Sequence, residues 1–260
     1  MIRFFSALLI VASFLSCSSK PEKKGASIET SEITGEDLGP KDDPSDTIGF
    51  FTQPNHVLLT KHADHRLVPV YKVNTRERRR SKEYYIGSNS FHSNYWSYSD
   101  GDGNNWNYNF MPGFEAMYGH GLVNVYHFDV PSKSASLFFK DTVLINTLYY
   151  PAFSKDSLNF EPVNRNYYMV SVYNEDSNGD NRISRRDLRR FFLFDINGDL
   201  NSALIPPTYS VRSSRYDPDN DFMYVYAALD ENENGQMEVT EPVHIFWINL
   251  KDPSQRGRLY

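Results

Sequence analysis

One strand-like pattern returns four times along this chain of 260 residues, and it limits the fold more than any other feature. The copies are VPVYKVN ending at Asn74, VNVYHFD ending at Asp129, RFFLFD ending at Asp195 and HIFWIN ending at Asn249. In each, apolar residues alternate with variable ones and the run closes on Asn or Asp. Alternation at period two puts one set of side chains on one face, which is the pattern of a strand with a buried side. The copies stand about 55, 66 and 54 residues apart, and self-similarity at such a period predicts a repeat architecture. Tyr and Phe number 18 each and Trp 3, and that aromatic load favours strands.

The last two copies align without a gap at an offset of 54: Asn166 with Asn220, Met169 with Met223, Asp176 with Asp230, and Phe192 with Phe246. In both, an alternating run (YYMVSVY or FMYVYAAL) enters an acidic loop and a second apolar run (RRFFLFDI or VHIFWINL) leaves it, which predicts a hairpin. Asn197-Gly198 adds a tight-turn signal after the third copy. The expectation is an all-β domain over 47–260, built of about four hairpin or blade units.

The segment YDPDNDFMYVYAALDENENGQMEVTEPVHIFWINLKD resembles the repeat of TolB-type β-propellers. It carries the Asp217-Pro218-Asp219-Asn220 turn, the alternating strand, an acidic turn and the closing Asn249-Leu250 step. The resemblance implies propeller-like blades. Four units leave three arrangements open: a small ring, an open propeller fragment, or a β-sandwich of hairpins.

The acidic loops carry the most specific chemistry. In 176–187, Asp176, Asn178, Asp180, Ser184 and Asp187 fall at positions one, three, five, nine and twelve, with the Arg182 carbonyl at seven. In 230–241 the same positions hold Asp230, Asn232, Asn234, Gln236 (through its carbonyl), Glu238 and Glu241, with Gly235 at six. That is the register of an EF-hand calcium loop, in which six or seven hard oxygens converge on a dication. Both loops are entered by strands, so the expectation is EF-hand-like loops in another fold, holding structural calcium. Solvated acidic turns are the plain alternative. A third acidic stretch, Asp100 to Asn105, lacks an acid at position twelve, where Met111 stands.

Beside that stretch, Tyr95, Trp96, Trp106 and Tyr108 alternate with polar amides. Exposed aromatics can stack on sugar rings, so a carbohydrate-binding or carbohydrate-processing module is the alternative function; packing between strands is the competing explanation. His62, Asp64 and His65 could supply part of a zinc site. Arg76, Arg78, Arg79, Arg80 and Lys82 read as a solvated basic loop. No phosphate-binding loop, nucleophile elbow, His-Glu-x-x-His pair or catalytic cysteine occurs. The role expected is non-catalytic: binding a protein or glycan partner, or scaffolding. The net charge of −6 and a pI near 5.6 argue against a nucleic-acid partner.

The chain opens MIRFFSALLIVASFLSCSSK, one cation followed by a short apolar run and small residues, the pattern of a secretory signal over 1–16. Cys17 is the only cysteine, so no intramolecular disulfide can form. The run and its Cys resemble the lipidation site of bacterial lipoproteins. That resemblance implies diacylglycerol on Cys17, attachment to the cell envelope, and, from Ser18, passage to the outer membrane. An ordinary signal with an incidental cysteine is the alternative. Residues 17–46 contain no aromatic residue and read as a flexible tether.

Overall fold

The computed structural model describes residues 27–28, 52–78, 81–86, 89–92, 111–153 and 155–260. The signal segment, Cys17, nearly all of the tether, the 100–105 stretch and the four aromatics Tyr95, Trp96, Trp106 and Tyr108 lie outside them. The described chain is all-β and contains no helix.

Three sheets carry the fold. The first contains β2 (Thr52–Pro54), β3 (Leu58–Leu59), β4 (His65–Arg78), β5 (Ser81–Ile86), β8 (Leu122–Asp129) and β9 (Ser134–Leu137). Its order is β2-β4-β8-β9, with β3 and β5 also paired to β4. The second contains β6 (Asn89–His92), β7 (Phe114–Gly119), β10 (Leu144–Pro151), β13 (Tyr167–Tyr173), β15 (Arg190–Asp195) and β16 (Leu200–Ala203), in the order β16-β15-β13-β10-β7-β6. The third is an antiparallel meander of β17 (Tyr209–Asp217), β18 (Phe222–Leu229), β19 (Val243–Asn249) and β20 (Arg256–Arg258). Two short pairs complete the set. β11 (Ser157–Leu158) lies against β12 (Glu161–Pro162), and β1 (Ser27–Ile28) runs parallel to β14 (Arg182–Ile183).

The four copies of the strand motif are therefore spread over three sheets. The first two, in β4 and β8, are neighbours in one sheet, paired from His65↔Asp129 to Tyr71↔Leu122. The last two occupy equivalent places in successive sheets: β15 pairs with β13 as β19 pairs with β18. The hairpin is thus a structural repeat, with the return strand shifted by one residue: Met169 pairs with Leu193, and Met223 with Ile248.

The second sheet is the middle layer. On one face Met117, Leu148, Tyr168, Val170, Val172 and Phe194 share a core with Leu67, Tyr71, Leu122 and Val125 of the first sheet. On the other, Phe114, Tyr167, Met169, Phe191 and Leu193 pack with Val211, Met223, Val225, Phe246 and Ile248 of the third. Both faces of β13 are covered and all seven of its residues are buried. That explains YYMVSVY, in which no charged residue interrupts the run.

A buried ion pair joins the second sheet to the third. Arg165, just before β13, is 1% exposed and donates to both Asp221 oxygens at 3.0 and 2.8 Å. It also donates to the Leu250 carbonyl at 2.6 Å and the Pro112 carbonyl at 3.1 Å. Burial alone would lower the Arg165 pKa, but the Asp221 hydrogen bonds outweigh it and the net shift is upward.

The basic cluster is not all loop. Arg76 and Arg78 lie on β4 and Lys82 on β5, in a hairpin whose register sets Arg76 opposite Glu83 and Glu77 opposite Lys82.

Candidate metal centre

Each acidic loop is the turn of an equivalent hairpin, 176–187 between β13 and β15 and 230–241 between β18 and β19. Their internal hydrogen bonds match position by position. In the first, Asp176 accepts from the Asp180 amide at 3.0 Å and the Asn181 amide at 2.6 Å. Asn178 Oδ1 accepts from Asp180 N–H and Asp180 Oδ1 from Arg182 N–H. In the second, Asp230 accepts from Asn234 and Gly235 at 3.1 and 3.0 Å, Asn232 from Asn234, and Asn234 from Gln236. Position twelve takes the amide of position nine in both: Ser184 to Asp187 at 2.7 Å, Glu238 to Glu241 at 2.9 Å.

The backbone repeats as well. Positions four and six have positive φ in each loop, at Gly179 (73°) and Asn181 (63°), and at Glu233 (55°) and Gly235 (72°). These turns fold the side-chain oxygens of positions one, three and five inward. An oxygen accepting one N–H keeps a second lone pair, so the same groups can face a cation.

The closing acids differ. Asp187 is fully buried, and its two oxygens accept from the amides of Ser177, Asn178 and Ser184. Burial raises its pKa against the pull of those amides, and the Asp176 charge adds to the rise. Glu241 is 7% exposed; its Oε2 takes the Glu238 amide, while its Oε1 is buried with no partner. A buried carboxylate oxygen without a donor or cation is costly. Glu238 at position nine accepts from the side-chain amides of Asn234 at 2.8 Å and Asn232 at 3.4 Å.

The loops also touch each other, which the sequence did not disclose. Ser177 Oγ donates to the Gly235 carbonyl at 2.6 Å, and Asp187 forms an isolated antiparallel bridge with Gln236. Gly235 admits no side chain, since a Cβ there would lie 1.9 Å from the Ser177 carbonyl oxygen. Between the loops runs a groove of about 610 Å³, with Glu175, Asp176 and Ser177 on one wall and Asp230, Glu231 and Glu233 on the other. At position eight, Ile183 is buried with Val70, Val123, Leu144 and Tyr173, whereas Met237 is 41% exposed. The first loop is therefore anchored in the sheets and the second is held chiefly by its own hydrogen bonds and by the first.

Among the described residues no three His, Cys, Asp or Glu side chains form a metal-holding group. The loops supply many of their oxygens from Asn side chains and the carbonyls of Arg182 and Gln236, donors that suit a hard cation and not zinc.

The histidines fall elsewhere. His62 Nε2 lies 2.7 Å from the Arg165 carbonyl, so that nitrogen already has a partner. His65 Nδ1 is 3.1 Å from Nε2 of His127, a buried residue that no sequence motif marks. Burial, and then the neighbouring His65, lowers the His127 pKa. An unfolded His127 gains its proton near pH 6.5 while the folded one resists. Stability from this site is thus full above about pH 6.5 and declines as pH falls below it. The melting temperature should drop between pH 7.5 and 5.5, and the drop should shrink in His127→Gln. An unchanged slope would assign the effect to other groups.

No protein-family model matches the chain, and no curated protein matches it.

Proposed function

We propose that this is a calcium-binding lipoprotein of the bacterial cell envelope, exported and anchored through Cys17, with a non-catalytic binding or scaffold role. Calcium is structural in this reading. The observation that carries it is the unpartnered buried Oε1 of Glu241, at the position where an EF-hand-like loop closes on its ion, in a loop whose hydrogen bonds repeat those of 176–187. A dication there would give that oxygen a partner and offset two of the three charges of Asp230, Glu238 and Glu241. Loop 230–241 is the stronger site. In 176–187 the closing acid is already held by amides, and three arginines, Arg182, Arg185 and Arg186, lie within the loop.

The test is thermal unfolding in millimolar calcium and in chelator. At calcium one hundred times Kd, linkage gives about 2.7 kcal/mol of stabilisation, or roughly 5–10 °C for a domain of this size. Glu241→Gln and Asp230→Ala should remove most of the shift, and Asp187→Asn a smaller part. Equal melting temperatures in calcium, magnesium and chelator would leave the loops as acidic turns.

A further inference from the structure

A cavity of about 250 Å³ lies between the second and third sheets, lined in part by Asn146, Thr147, Tyr149, Arg189, Arg212 and Ser214. Two guanidinium groups belong to its wall. Arg189 is largely enclosed, donating to the Val211 carbonyl at 2.6 Å, to Asn146 Oδ1 at 3.0 Å and to the Arg212 carbonyl. Among the described residues neither Arg189 nor Arg212 has a carboxylate at ion-pairing distance. Burial lowers the Arg189 pKa, and Tyr173 and Tyr149 offset it only in part.

Arg212 is less satisfied still. Its Nη2 donates to the Glu238 carbonyl, and its Nε–H is buried without an acceptor. Both side chains are partly buried, and a cation withdrawn from water favours a counter-charge. The protein supplies none here. What it supplies around the two cations is hydroxyl and amide groups, from Thr147, Ser214, Tyr149 and Asn146. The volume equals about eight waters at roughly 30 Å³ each, which suits a small organic molecule.

We propose that this cavity binds a small hydroxylated carboxylate, its carboxylate taking the acceptor place that Arg212 Nε–H lacks and its hydroxyl lying among Asn146, Thr147 and Ser214. Arg pairs with carboxylates through paired, charge-assisted hydrogen bonds. The inference does not depend on calcium: the cavity uses none of the loops' inward oxygens, although Arg212 is steadied by the carbonyl of Glu238.

The experiment follows the arginine Nε–H resonances by ¹H–¹⁵N NMR while sodium lactate, sodium propionate or sodium chloride is added, in chelator. Lactate should shift one arginine Nε–H saturably and bind at least several-fold tighter than propionate, with no saturable shift from chloride. Arg212→Gln should abolish the response. Ser214→Ala should weaken lactate and leave propionate alone, which keeps the test valid if the arginine variant folds poorly. Absence of a saturable shift with both carboxylates, an equal response to chloride, or equal affinity for lactate and propionate would each overturn the proposal.

Discussion

Asp221→Ala should destabilise the protein by about 3–5 kcal/mol, the usual loss when one member of a buried pair is removed and the other stays charged in the interior. Arg165 would keep its two carbonyl acceptors, Leu250 and Pro112, and lose both carboxylate bonds. Tyr216 also donates to Asp221, at 3.1 Å, and would lose that acceptor. At roughly 2–4 °C per kcal/mol for a domain of this size, the melting temperature should fall by roughly 6–20 °C. The double variant Arg165→Met/Asp221→Asn should recover much of the loss, because it removes both charges at nearly the same volume and Asn tolerates the Asp221 φ of 56°. Denaturant unfolding of the single and double variants measures this. A loss below about 1 kcal/mol for Asp221→Ala would mean that the pair is not carrying the contact between the second and third sheets.

Gly235→Ala is the second large effect, and its control is built into the other loop. A Cβ at Gly235 meets the backbone of Ser177 at 1.9 Å, and backbone cannot swing aside as a side chain can. Overpacking costs about 1–3 kcal/mol, and the φ of 72° adds about 1–2 for an L residue. The expected sum is about 2–5 kcal/mol, and the two loops should part. Gly179 has nearly the same φ, 73°, but nothing lies within 4 Å of its Cβ position. Gly179→Ala should therefore cost only the conformational share, about 1–2 kcal/mol. Unfolding midpoints of the two variants separate contact from conformation; equal losses would place the whole effect in the backbone angle.

The strands and turns were legible because they depend on neighbours in the sequence. Period two marks a strand wherever one face is buried, and the Asp195-Ile196-Asn197-Gly198 turn forms through local bonds, with Asn197 and Asp199 amides on Asp195 Oδ1. The loop register was legible for the same reason: the bonds accepted by positions one, three and five each span five residues or fewer. The pairing of sheets was not. Alternation reveals that β4 and β8 each have a buried face and says nothing of their lying side by side. Arg165 and Asp221, 56 residues apart, gave no local sign of meeting. The partnerless Glu241 oxygen and the two arginines of the cavity are likewise products of packing, invisible until the sheets are stacked.

The middle sheet has consequences for how the repeat can be used. Its strand β13 has no solvent side, so its amides are shielded by a layer on either hand. Neither outer sheet can be stripped away without baring a row of aromatic and aliphatic groups on its neighbour. Although the two hairpins share one form and their loops match position by position, they are not modules that could be cut out, swapped or added singly. Burial of β13 on both faces ties the two hairpins into one unit, whose slowest-exchanging amides should report the stability of the whole.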